Sequence, residues 1–375
     1  MSHPQNLNHL VVKIGTSLLV TPDGMLRAAW LTSLAQDVAA LSAQGVKLSI
    51  VTSGAVALGN GLLPRKTDRV EDKQAAAALG QAPLIAAYQA AFSQASLTVG
   101  QVLLTLADTQ QRRAHLNARA TLGALMAIGA VPIINENDTV TTQEIRYGDN
   151  DRLAAMVTQI IPADALIILS DVDGLYTSDP NGPNPGQHLP KVRALTPEIS
   201  AMAAPPRPGF SRGGMATKLL AAQICLDAGC HMVIKDGRKE RPLRPFIEKT
   251  PERMTWFISQ TTPKNARKRW LAGLIELAGT LVVDAGASRA LSEGKSLLPA
   301  GLIRAEGPFD RGDCVEIKDP DGHVLGRGLA AYSHEEMTRL AGHHSRDVPS
   351  ILGYRRQEEL IHRDDLILTP RQKTP

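Results

Sequence analysis

Six short apolar runs, at 9–14, 46–52, 99–104, 131–135, 165–169 and 231–235, are rich in Val, Ile and Leu, and each is too short for a typical buried helix. They read as strands. Between them, apolar residues recur every three or four positions. Leu31, Leu34, Val38 and Leu41 make one face of a helix that should stop near Gly45, and similar faces run through 74–94 and 112–128. Apolar strands alternating with helices predict an α/β fold, a mostly parallel sheet sandwiched by helices, with ligands at the carboxyl ends of the strands. Beyond about position 280 the pattern changes to short strands and Gly-rich turns, as in Gly312-Asp-Cys-Val-Glu-Ile-Lys. Two domains of unequal size follow, an α/β domain at 1–265 and a small, mainly β domain at 280–365.

Composition supports this organisation and narrows the setting. A chain of 375 residues exceeds one ordinary domain, and 43% hydrophobic with 21% charged residues is a globular balance. No run approaches the roughly 18 apolar residues of a membrane span. The first residues lack the basic start and apolar stretch of a secretory signal. Three cysteines, Cys225, Cys230 and Cys314, supply neither a disulfide framework nor a four-ligand zinc site, and Cys225 and Cys230 read as core. A cytoplasmic protein with no membrane partner is expected.

The net charge of +4 is unevenly placed. Positions 235–269 hold eleven basic and four acidic residues, and this segment is expected to follow the last strand of the α/β domain as an anion-facing flank or domain junction. From 281 to 375 the count is 13 basic against 15 acidic residues, without the basic stripe that RNA demands, so RNA binding is not expected.

The chemistry should lie where the strands end. Lys13 sits inside the first apolar strand, just before Gly15-Thr-Ser, where a buried lysine is costly unless it meets an anion. Thr52-Ser53-Gly54 closes the second strand with small hydroxyl residues that could equally be a helix cap. Ile134 is followed by four amide or acid side chains, Asn135, Glu136, Asn137 and Asp138, and Asp149, Asn150 and Asp151 precede a helix. Ser170, Asp171 and Asp173 end another strand, while Arg212-Gly-Gly-Met-Ala-Thr-Lys218 brings paired glycines and a mobile cation to a helix start. Ser292-Glu-Gly-Lys-Ser ends like a phosphate-binding loop, but Arg289 stands where that pattern needs Gly. No Gly-x-Gly-x-x-Gly follows the first strand, and the His residues show no metal-site spacing.

In this order the motifs resemble the amino acid kinase family, and within it the branch that phosphorylates glutamate in proline biosynthesis, while Leu297-Leu-Pro-Ala-Gly-Leu and Gly312-Asp-Cys-Val resemble a PUA domain. The resemblance implies ATP-dependent phosphorylation of the side-chain carboxylate of L-glutamate, with Mg2+. By position it implies Lys13 and Lys218 as the cations on the transferring phosphoryl group, Asp149 as the carboxylate that orients them, and Ser53, Asp138 and Asn150 as the glutamate site. Asp138 would take the ammonium, with Ser53 and Asn150 donating to carboxylate oxygens. Lys13, Ser170, Asp171 and the loop Arg212, Gly213, Gly214, Met215, Ala216, Thr217 and Lys218 would hold ATP. Ser170 stands where Thr is more usual, Arg212 replaces a Thr and Ala216 a Ser. No magnesium ligands are assigned. Proline as feedback inhibitor, a homo-oligomer and functional coupling to glutamyl phosphate reductase are further implications. The rivals are a family member acting on another carboxylate, carbamate or a nucleoside monophosphate, and an RNA-binding regulator.

Overall fold

The computed structural model describes residues 4, 7–63, 69–140, 149–180, 182–203, 214–272, 277–354 and 357–369. The chain divides into two compact units, Met1–Pro263 and Lys264–Pro375.

In the first unit the strands are β1 (His9–Ile14), β2 (Lys47–Val51), β3 (Val99–Leu104), β4 (Val131–Glu136), β5 (Ala165–Ser170), β6 (Leu175–Tyr176), β7 (His188–Leu189), β8 (Lys191–Val192), β9 (His231–Asp236) and β10 (Met254–Phe257). The helices that precede its boundary are α1 (Thr16–Leu19), α2 (Ala28–Ala43), α3 (Ala55–Asn60), α4 (Val70–Gln94), α5 (Leu106–Gln110), α6 (Arg112–Ala127), α7 (Asp149–Ile160), α8 (Pro197–Ala201), α9 (Met215–Asp227) and α10 (Arg244–Glu248). Eight strands form one sheet in the order β3-β4-β2-β1-β5-β9-β10-β8, parallel throughout except where β10 runs against β9. All six strands expected from the apolar runs are present.

Alternation along β1 decides what faces what. Leu10, Val12 and Ile14 enter a core layer shared with α2 and α4, whereas Val11 points into the layer built by α7 and α9. Lys13, two residues beyond Val11, therefore shares the α7 and α9 side of the sheet. Because β1 lies between β2 and β5, the winding of the sheet reverses there, which opens a crevice at its carboxyl end.

The basic segment does not trail the last strand as expected. β10 lies inside it, and five of its described cations are paired: Lys235 with Glu252 at 2.7 Å, Arg238 with Asp236 at 2.7 Å, Arg241 with the buried Asp37 at 2.5 Å, Arg244 with Glu248 at 2.6 Å and Arg253 with Asp173 at 3.7 Å. The strand has little sequence signal because Met254-Thr-Trp-Phe is only four residues long and sits among prolines and charges. The boundary between the units does fall in this segment.

The second unit contains α11 (Pro263–Ala272, starting at the boundary), β11 (Gly279–Val283), α12 (Ala285–Ser292), β12 (Leu302–Glu306), β13 (Cys314–Lys318), β14 (Val324–Leu329), α13 (His334–Leu340), α14 (Val348–Leu352) and β15 (Leu366–Leu368). Its five-stranded sheet, β12-β11-β13-β14-β15, is antiparallel except between β11 and β13. Leu281, Val283, Val315, Ile317, Tyr332 and Met337 fill its own core. Helix α13 starts with a capping box, in which Ser333 accepts from the Glu336 amide while the Glu336 carboxylate accepts from the Ser333 amide.

Candidate active site

The carboxyl ends of β1, β2, β4 and β5 and the first turns of α7 and α9 carry the polar residues. Lys13, Lys218 and Asp151 are almost completely buried. The Lys13 Nζ lies 2.6 Å from Asp151 Oδ1, and the Lys218 Nζ lies 3.1 Å from Oδ2 of the same carboxylate. The Thr217 hydroxyl oxygen lies 3.2 Å from Asp151 Oδ2 and 2.9 Å from the Gly214 carbonyl, and its single hydrogen serves one of the two at a time. Burial alone would push the Asp151 carboxyl up, but the two ammonium groups outweigh it and hold the pKa below the ordinary carboxylate value. Burial lowers the Lys13 pKa, with Asp151 opposing that shift and Lys218 adding to it.

The expected organiser of the two lysines was Asp149, whose side chain lies outside the described residues; the carboxylate between them is that of Asp151. Sequence spacing carried a signal that could have found it. Positions three, four and seven beyond Asp151 are Ala154, Ala155 and Thr158, all buried in the layer between α7 and the sheet. An acid on the buried ridge of a helix needs cations, and small residues beside it allow close approach.

A second cluster begins one residue earlier. The Asn150 amide nitrogen lies 2.7 Å from the Thr52 carbonyl, 2.9 Å from Ser53 Oγ and 3.1 Å from Asn135 Oδ1, so its two hydrogens are shared among three acceptors. Asn135 donates in turn to Gln81 Oε1 at 2.8 Å, and Tyr88 OH donates to Thr52 Oγ1 at 2.9 Å. In this arrangement the N–H groups of Asn150, expected to donate to a substrate carboxylate, are engaged within the protein, and its buried Oδ1 has no partner among the described residues. The unpartnered atom of Asn150 is therefore an acceptor. Ser53 already accepts from Asn150, which leaves its hydroxyl hydrogen for an outside oxygen. Gln81 and Tyr88 were not legible as site residues, because a polar residue on a long helix reads as solvated surface.

Local backbone explains why Ser53 can be there. Gly54 caps α3 with φ +104°, a conformation that favours glycine. Helices α3 and α4 meet backbone to backbone: a Cβ on Gly80 would lie 1.8 Å from the Ala55 carbonyl oxygen, and one on Gly59 at 1.8 Å from that of Ala76. That contact presses α4 against the site.

Asp138 follows β4 and is half-buried, and burial raises its pKa to about 6. Such a carboxyl gains from an arriving cation. Ser170 donates to Asp171 Oδ1 at 3.1 Å at the end of β5. A cleft of about 570 Å³ adjoins Asp171, lined also by Ser17, Arg27, Trp30, Arg238 and Glu240, but by neither lysine. Gly214 caps α9 with extended backbone, Met215 is partly buried, Ala216 is exposed, and the Thr217 hydroxyl is within reach of the Gly214 carbonyl. Arg212 and Gly213 lie outside the described residues.

Residues 8–236 match the amino acid kinase family, and residues 279–352 match the PUA domain. The chain belongs to the amino acid kinase family. Within it, the chain is 52% identical over 363 residues to the glutamate 5-kinase of Paramagnetospirillum magneticum, covering 96% of this chain and 97% of that protein. It is 50% identical over 364 residues to the glutamate 5-kinase of Rhodospirillum rubrum, covering 96% of each. The mostly parallel sheet with its helical layers and the strand-rich second unit are those expected of an amino acid kinase followed by a PUA domain. As an amino acid kinase the chain uses ATP, and among the described residues no helix is long and apolar enough to cross a membrane.

Proposed function

We propose that the chain transfers the γ-phosphoryl group of ATP to the side-chain carboxylate of L-glutamate, giving L-glutamyl 5-phosphate and ADP in the first step of proline biosynthesis. The observation that carries the reading is the adjacency of Asn150 and Asp151 in α7, since one joins the Ser53 cluster and the other holds both lysines.

The acceptor carboxylate is already a nucleophile, so no histidine or cysteine base is required. The work left to the protein is positioning and charge stabilisation. The Ser53 hydroxyl donates to a glutamate carboxylate oxygen. Asp138 and the Asn150 Oδ1 accept from its ammonium. Lys13 and Lys218 stabilise the negative charge on the transferring phosphoryl group, and Asp151 keeps two mutually repelling cations on one target. The amides at the start of α9, with Gly214 and Thr217 beside them, suit a phosphate chain, and Ser170 and Asp171 complete the nucleotide side.

Magnesium fits this arrangement as an ion carried with the nucleotide. The only three-ligand cluster among the described residues is Asp319, Asp321 and His323, in the second unit, while Asp151 is taken up by lysines. Asp171 is the exposed oxygen donor beside the nucleotide side, and the ion would supply neutralisation of phosphate charge. Feedback inhibition by proline at or near the glutamate subsite, a homo-oligomer, a cytoplasmic setting and functional coupling to glutamyl phosphate reductase belong to the same proposal.

A hydroxylamine-trapping assay with purified protein, ATP and Mg2+ tests it across glutamate, aspartate, carbamate and UMP, with ADP release followed for the last two. Glutamate-dependent hydroxamate, reduced by added proline, is expected. No product from glutamate, with turnover of another acceptor, refutes the reading.

A further inference from the structure

The direction in which Asn150 points is set from two sides. The Thr52 carbonyl can only accept, so the atom 2.7 Å from it must be the Asn150 amide nitrogen. The same nitrogen shares its two hydrogens among the Thr52 carbonyl, Ser53 Oγ and Asn135, and because a donor cannot usefully face a donor, Asn135 presents its oxygen at 3.1 Å and turns its own amide nitrogen away. That nitrogen, on a residue only 3% exposed, needs an acceptor, and Gln81 Oε1 supplies it at 2.8 Å. Each amide thus dictates the orientation of the next, and the last free atom of the series is the buried Asn150 Oδ1.

Gln81 reaches this position because Gly59 and Gly80 let α3 and α4 approach without side chains between them. Tyr88, seven residues further on and so on the same face of α4, holds Thr52 from the other side. Helix α4 therefore contributes two polar side chains that support the site.

We infer that Gln81, acting through Asn135, is a positioning residue that keeps the Asn150 carbonyl oxygen turned toward the substrate ammonium. This rests on the glutamate reading. Without an acceptor at position 81, the Asn135 nitrogen loses its partner. Turning Asn135 over would recover nothing, because it would set a donor against the Asn150 donor. The consequence falls on recognition of the ammonium and leaves the phosphoryl-transfer cations in place.

The test uses the full chain, with Gln81→Leu and Gln81→Glu, the second of which keeps an acceptor oxygen. For Gln81→Leu the KM for glutamate should rise roughly tenfold, the weight of one buried hydrogen bond, with kcat and the KM for ATP within about twofold. Gln81→Glu should recover most of the loss. Competitive inhibition by glutarate, which lacks the ammonium, should hardly change in either variant, whereas a merely loosened site would weaken both ligands alike. If Gln81→Leu does not fold, Gln81→Met, similar in length and without the acceptor, takes its place. An unchanged glutamate KM, equal losses for glutamate and glutarate, or Gln81→Glu no better than Gln81→Leu would overturn the inference. If the unaltered chain does not turn over glutamate, the substrate reading itself fails, and the assigned target of Gln81 fails with it.

Discussion

Replacing Asp151 with Asn removes one negative charge and leaves the shape of the side chain almost unchanged. Lys13 and Lys218 each lie within 3.1 Å of that carboxylate, and Asp151 is fully buried. Two ammonium groups sharing a carboxylate are on the order of 6 Å apart, which at an effective dielectric of about 20 is a repulsion of roughly 3 kcal/mol. Loss of one member of a buried ion pair costs about 3–5 kcal/mol by a similar argument. For a unit of this size the melting temperature should fall by about 10 °C. Turnover should fall by about a hundredfold or more, because Lys13 deprotonates more readily and both side chains leave their target. The polyphosphate of a non-hydrolysable ATP analogue supplies the missing negative charge, so it should raise the melting temperature of Asp151→Asn more than that of the unaltered chain. Differential scanning fluorimetry with and without the analogue, beside steady-state kinetics, reads both effects. A variant that melts normally and turns over within threefold of the unaltered chain would refute the claim that this carboxylate holds the lysines.

Three further outcomes follow from the same geometry. Asp138, with its pKa raised by burial to about 6, is neutral below that pH; the KM for glutamate should rise about tenfold between pH 7 and pH 5, and Asp138→Asn should raise the KM and abolish that dependence. Kinetics across this range check it, and a flat profile in the unaltered chain would count against the assignment. The lowered pKa of Lys13 should make kcat/KM for ATP decline with rising pH below the ordinary lysine value of about 10.4, and a profile level to that pH would remove Lys13 from its role. Gly80→Ala places a methyl group 1.8 Å from a backbone carbonyl oxygen, so α3 and α4 must separate; a loss of about 2–4 kcal/mol in chemical denaturation is expected, together with weaker glutamate binding.

The parallel sheet was legible in the chain because strands buried on both faces must be largely apolar, and β1, β2, β4, β5 and β9 each carry at least three buried apolar residues. Lys13 was legible for the converse reason, as a charge where nothing but apolar residues is affordable. The short β10 was lost because four residues carry too little periodicity to stand out among charges, and its place is determined by pairing with β9 and β8. The short helices of the second unit were likewise too brief to announce themselves.

By itself, the sequence determined which residue types reach the strand ends, that two domains are present and that the chemistry needs cations, small hydroxyls and amides, because these follow from local pattern and from the cost of burying charge. Tertiary structure decided which partners those groups take. Asp149 and Asp151 are two residues apart and alike in chemistry. Only the packing of α7 against β1 and α9 puts Asp151 between lysines some 138 and 67 positions away in sequence. Asn150 read as a donor from its type alone, but the Thr52 carbonyl, 98 residues distant, takes its nitrogen and leaves the oxygen without a partner among the described residues. Hydrogen-bond direction depends on the neighbour across space, and no local pattern encodes that neighbour.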